Sequence, residues 1–160
     1  VFYDELKYGG ERIGGFNFRY DMGYYNGGNN FIMQSAMGFY GYGGNVQEEA
    51  AYPTTLIDKD GNQLHGRNKY KVHFTKDQIP PVNAFWSLTM YNVPEIQLVE
   101  NEIKRYNIGG YTPNLKYNGD GSLDVLIHHD RPADISNWLP APEGKFFIVL
   151  RLYNPQAPIL

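Results

Sequence analysis

Two proline corners, each releasing the chain into a run of strand-forming residues, constrain this sequence more than any other feature. In the first, Pro80-Pro81-Val82-Asn83 leads into Ala84-Phe85-Trp86-Ser87-Leu88-Thr89-Met90-Tyr91. In the second, Asn137-Trp138-Leu139-Pro140-Ala141-Pro142 turns through Glu143-Gly144-Lys145 into an apolar run from Phe146 to Tyr153. Proline fixes φ and lacks an N–H, so such a corner stops one ladder and aims the next. Aromatic and β-branched residues in the following runs suit a pleated, half-buried surface. In the first run Trp86, Leu88 and Met90 take one face, and Phe85 and Tyr91 take the other. Apolar side chains on both faces put a strand inside a sheet rather than at its edge. The run ending at Tyr153 reads the same way.

The remaining segments fit the same class. Pro53-Thr54-Thr55-Leu56-Ile57 reads as a strand, and Asp58-Lys59-Asp60-Gly61-Asn62 as a turn. Tyr70, Val72 and Phe74 share one face of a strand over residues 70–74. Asn114–Tyr117 and Leu123–His129 read as the arms of a hairpin across Asn118-Gly119-Asp120-Gly121-Ser122. Residues 95–108 fit either a short helical turn or an edge. One helix is expected near residues 30–41, capped by Asn29 or Asn30, with Ile32, Ala36 and Phe39 on one face. Residues 1–29 carry seven glycines between tyrosines and phenylalanines, and read as an extended arm or the remnant of a preceding domain. Ordering those glycines costs backbone entropy. The arm is therefore expected to find apolar cover on another chain or domain rather than complete this domain's own core. Residues 30–160 form the domain proper. Strands joined by Gly/Pro turns, without strand–helix alternation, give an all-β fold class. The expected form is a jelly-roll-like β-sandwich with one N-terminal helix and an extended Gly/Tyr-rich arm.

Bulk properties exclude several functions. The net charge of -3 shows no basic stripe, so no nucleic-acid partner is expected. No apolar run approaches the roughly 18 residues of a membrane span. The absence of cysteine removes disulfide and thiol chemistry. A chain that opens at Val1 reads as processed or as a fragment of a longer protein.

Candidate chemistry is sparse. His128 and His129 point to opposite faces of a strand and cannot chelate one metal side by side. The acidic turn at Asp58 has Lys69 where a calcium loop needs its twelfth-position Glu. No Gly-x-Ser-x-Gly elbow and no Gly-x-Gly-x-x-Gly phosphate loop occurs in a suitable setting. Neither a metal nor a cofactor is expected, and no catalytic residue is assigned. Four residues stand out as ligand-binding candidates: Arg105, Tyr106, Trp138 and Arg151. Arg151 lies in an apolar strand, so it either pairs with a carboxylate such as Asp124 or anchors an anion in a cleft. Trp138, Tyr106 and Tyr111 are either core residues or stacking platforms for a carbohydrate, with Asn and Gln plentiful around them.

Five pieces of the second half, in order, resemble a known family. They are Asp58-Lys59-Asp60-Gly61 with Leu64-His65-Gly66; the run Pro80–Tyr91; Asn101 with Arg105-Tyr106-Asn107-Ile108-Gly109; Asp120-Gly121-Ser122-Leu123; and Asn137–Pro142 with Arg151, Tyr153 and Pro155. Their spacing is similar to the C-terminal domain called domain of unknown function 1214, over about residues 45–160. The resemblance implies a jelly-roll-like sandwich and an envelope or exported bacterial protein, periplasmic, at the cell surface or extracellular. It also implies a preceding β-rich partner, domain of unknown function 1254. It implies no agreed activity. The first functional expectation is thus a non-catalytic structural or interaction module, oligomeric or part of a larger assembly. A glycan or small-ligand binding domain is the alternative, and a hydrolase with an unidentified nucleophile is the second.

Overall fold

The computed structural model describes residues 10–19 and 45–156. Among these, β1 (Glu11–Ile13), β2 (Phe16–Phe18), β3 (Ala50–Ala51), β4 (Thr54–Thr55), β5 (Tyr70–Phe74), β6 (Trp86–Asn92), β7 (Asn107–Gly109), β8 (Leu123–His128), β9 (Trp138–Pro140) and β10 (Phe146–Tyr153) form two sheets. The larger has the order β1-β2-β4-β10-β6-β7, with β3 also paired to β10. The smaller has the order β5-β8-β9. The described residues are thus all-β, with one 3-10 turn at Lys76–Gln78. The helix expected near residues 30–41 lies outside the described residues, as does a domain boundary at residue 29.

The two proline-fed runs form the middle of the larger sheet. β10 runs antiparallel along β6, from Phe146↔Asn92 at one end to Leu152↔Trp86 at the other. Their inward faces supply Trp86, Leu88, Met90, Phe146, Ile148, Leu150 and Leu152 to one core. The smaller sheet adds Phe74, Leu123, Val125, Ile127 and Leu139 to that core, so the sheets pack face to face. On the outer face Phe147 joins Leu56 and Ile57 in a second apolar cluster.

The structure corrects three expectations. The strand expected over 53–57 shortens to β4, with Ile57 held only by an isolated bridge to Gln63. Pro53 before it has no N–H for a ladder, and its carbonyl accepts from Leu150 instead. The hairpin arm expected at Asn114–Tyr117 is absent. There the Asn137 side chain stands in for a neighbouring strand: its Oδ1 accepts from Lys116 N at 2.9 Å, and its Nδ2 donates to Lys116 O at 2.6 Å. The Asn118–Ser122 turn still closes, but β8 pairs antiparallel with β5 and parallel with β9.

The third correction concerns the arm. Residues 10–19 do not wait for a partner. β1 and β2 form a hairpin that joins the larger sheet through Asn17↔Thr54, and Phe16 sits 6% exposed in the core. Its turn is Gly14-Gly15, with φ of 57° and 89°. Positive φ at both central residues is the geometry of a tight hairpin turn. Two of the seven glycines that raise the entropy cost are thus the ones this turn requires.

Four exposed or half-buried carboxylates are stabilised by hydrogen bonds. The backbone N–H of Asn62 lowers the pKa of Asp58, the Ser122 hydroxyl that of Asp120, His73 that of Asp124, and Lys116 that of Asp134. A carboxyl with a lowered folded pKa contributes stability above its unfolded value, near about 3.9, and loses it as pH falls through the folded value. Thermal melts are therefore expected to hold a steady Tm from about pH 7 to 5 and to drop below about pH 4. A Tm that rises on acidification below that point would contradict these assignments.

Candidate functional site

At the Phe146↔Asn92 end of the β6–β10 ladder, three loops enclose a cleft of about 700 Å³. The loop after β6 supplies Asn92 and Gln97–Glu102. The segment after β8 supplies His129, Asp130 and Arg131. The strap between β9 and β10 supplies Pro140-Ala141-Pro142-Glu143, with Trp138 beside it.

Each wall is fixed by local chemistry. The loop after β6 closes on Asn92, whose side-chain oxygen accepts from Gln97 N at 2.8 Å and whose backbone N–H donates to Gln97 O at 3.0 Å. Farther along, Asn101 clamps the chain that carries Arg105. Its Nδ2 donates to Val99 O and Arg105 O at 2.9 and 2.8 Å, and its Oδ1 accepts from Arg105 N at 2.9 Å. The strap is held from two sides. The His128 carbonyl accepts from both Trp138 Nε1 and Ala141 N, at 2.9 and 3.1 Å. Gly66 donates to Gly144 O at 2.9 Å, and a β-carbon on Gly66 would lie 1.6 Å from the Pro142 carbonyl oxygen. Only glycine lets the strap come that close.

Arg105 joins the walls. Its Nη1 donates to the carbonyls of Ile135, Ser136 and Trp138, at 2.5, 3.3 and 2.8 Å. Burial lowers its pKa, yet a guanidinium titrates so high that it stays charged. Three converging carbonyl dipoles meet that charge in place of a carboxylate. Arg105 therefore supports the wall and does not line the cleft.

The rim is acidic. Glu100, Glu102, Asp130 and Glu143 line the cleft, with Arg131 as the guanidinium among them. Arg131 is bound to Glu102 at 3.0 Å. The Tyr106 hydroxyl lies 3.0 Å from the Glu100 carboxylate and donates to it, which raises the tyrosine's pKa. His129 Nδ1 is 3.0 Å from Ala141 O. A carbonyl only accepts, so Nδ1 carries the hydrogen, and Nε2 is turned toward Glu143 at 3.7 Å. The arrangement offers hydrogen-bond acceptors and negative charge to an incoming ligand.

The four sequence candidates take different places. Trp138 borders the cleft but is only 2% exposed, so its ring packs rather than offering a stacking face. Tyr106 orients Glu100. Arg105 staples the wall. Arg151 is not among the cleft residues: it donates to the Tyr91 hydroxyl at 2.5 Å, and its guanidinium lies 5.6 Å from that ring's centroid. Asp124, expected as its partner, pairs instead with His73 and Lys71. Sequence reasoning missed the acidic rim, because its members come from three separate loops. The Pro140-Ala141-Pro142 corner was the one local sign of a rigid wall. Among the described residues, no group of three or more His, Asp or Glu is placed to hold a metal ion, and no helix is long and apolar enough to cross a membrane.

Comparison with known proteins gives a consistent picture. A family model described as "Protein of unknown function (DUF1214)" matches residues 49–157. No curated protein matches the chain. The crystal structure of the VPA0106 protein from Vibrio parahaemolyticus is similar over 83% of this chain, with a TM-score of 0.68 and 27% identity. An uncharacterised protein from Burkholderia cenocepacia is similar over 68% of the chain, with a TM-score of 0.48 and 15% identity. The chain spans 33% and 27% of the lengths of those two proteins.

Proposed function

The chain belongs to the family described as protein of unknown function DUF1214, and from that premise we propose that it is a non-catalytic interaction module of a longer protein. Its working surface in this reading is the acidic cleft, and its partner is a positively charged segment of another protein chain or domain. A site in the envelope or an exported assembly is part of the same proposal. One observation carries it: a cleft of about 700 Å³ with four carboxylates against one guanidinium, on walls braced by Arg105, Asn101 and Gly66. Bracing matters because a preformed site loses less entropy on binding. The lining offers an imidazole and carboxylates but no Ser, Thr or Cys among the described residues. That inventory suits recognition better than nucleophilic chemistry.

Calorimetric titration of the full chain with a hexalysine peptide tests the reading. Binding is expected at low salt and is expected to weaken steeply as ionic strength rises toward about 0.5 M, where screening shortens to a few ångströms. Glu100→Gln, Glu102→Gln and Glu143→Gln should each weaken it, whereas the remote Asp58→Asn should not. Binding that ignores the three cleft substitutions would sink the proposal.

A further inference from the structure

We propose that the opposite end of the β6–β10 ladder is a second binding site, one for a neutral oligosaccharide. There Phe85, just before β6, stacks on Tyr153 at the end of β10, with centroids 4.4 Å apart and planes 29° apart. Tyr111 meets Phe85 at 5.5 Å with an interplanar angle of 79°, so the rings form a corner rather than a flat patch. Phe85 is 41% exposed and Tyr111 is 54% exposed. A single exposed aromatic needs no explanation, but an assembled corner of three is different. Its rings are already positioned. The Tyr111 hydroxyl donates to Asn107 Oδ1 at 2.8 Å, and Tyr153 N and Ala84 N exchange backbone bonds with Phe85 O and Tyr153 O.

Next to this corner lies a relay of exposed amides. Gln156 Nε2 donates to Asn83 Oδ1 at 3.1 Å, and Asn83 Nδ2 donates to Asn154 Oδ1 at 3.4 Å. A primary amide has two donor hydrogens and two acceptor lone pairs, so each of the three keeps hydrogen-bonding capacity beyond the relay. Rigid aromatic area beside adaptable amides is a recognition surface of low entropic cost. A pyranose matches both halves. Its axial C–H face suits the ring corner, and its equatorial hydroxyls suit groups that donate and accept at once. None of these side chains is charged, which favours a neutral sugar over an anionic one. An equatorially linked glucan presents such a C–H face on every unit.

NMR titration of the full chain with cellohexaose, to about 5 mM, would register a Kd of about 1 mM. The expected result is shifts confined to Asn83–Phe85, Tyr111 and Tyr153–Gln156. Tyr111→Ala should weaken binding at least about tenfold, and Tyr111→Trp should retain it. Both sit at an exposed position where folding is readily checked by an unchanged melt. Asn83→Ala, which removes amide hydrogen bonds without touching a ring, should weaken binding severalfold. Absence of any shift, or an affinity unchanged in both Tyr111→Ala and Asn83→Ala, would overturn the inference. Hexalysine titration of the same samples reads the cleft separately, so failure at one site is not failure at the other.

Discussion

Trp86→Ala is expected to destabilise the domain by about 3–5 kcal/mol, the usual cost of truncating a large core aromatic. Trp86 is 4% exposed and packs against Phe74 across the two sheets, with centroids 5.5 Å apart. It opens β6 in register with Leu152 of β10, and it shares its core with Ile148. β7 lies close against this strand: a β-carbon on Gly109 would lie 2.1 Å from the Trp86 carbonyl oxygen. A denaturant titration reads the loss as a lower midpoint at unchanged slope. A loss below about 1 kcal/mol would mean that Trp86 does not bridge the sheets.

Arg105→Ala is the second large effect, expected at about 2–4 kcal/mol because hydrogen bonds from a charged donor carry more than neutral ones. The substitution orphans the carbonyls of Ile135, Ser136 and Trp138 together. Arg105 is only part-buried, so water recovers some of the loss, which keeps the estimate well below the sum of three full desolvation penalties. All three bonds come from Nη1, so Arg105→Lys, whose ammonium carries three N–H donors, is expected to recover part of the loss. Hexalysine binding should fall with stability, because the staple holds the cleft wall. A variant that folds as well as the parent chain would show that the clip is incidental.

These two residues also show what was legible in the sequence. β6 and β10 could be read as central because their apolar residues occupy both faces, a pattern that depends on nothing outside the strand. β8 could be read as a strand from Leu123, Val125 and Ile127, but not its neighbours. Asn118-Gly119 suggested a local hairpin, whereas the pairing went to Tyr70–Phe74, some fifty residues away. Ladder choice is a tertiary decision, and here the Asn137 side chain took the place a hairpin partner would have filled. Glycine entropy taken alone argues against ordering residues 10–19, but Gly14-Gly15 makes the turn that seats Phe16. Arg105 and Trp138 were marked as unusual by their residue type alone. The rim carboxylates were not, because Glu100, Glu102, Asp130 and Glu143 meet only once three loops converge.

We infer that the acidic cleft is the surface that takes a basic segment of another chain. Backbone amide shift mapping of hexalysine on the full chain tests it most directly. Shifted resonances are expected to cluster at Gln97–Glu102, His129–Arg131 and Ala141–Glu143, and to shrink as salt is added. Shifts scattered over the remote carboxylates at Asp58, Asp120 and Asp134, with the cleft silent, would contradict it.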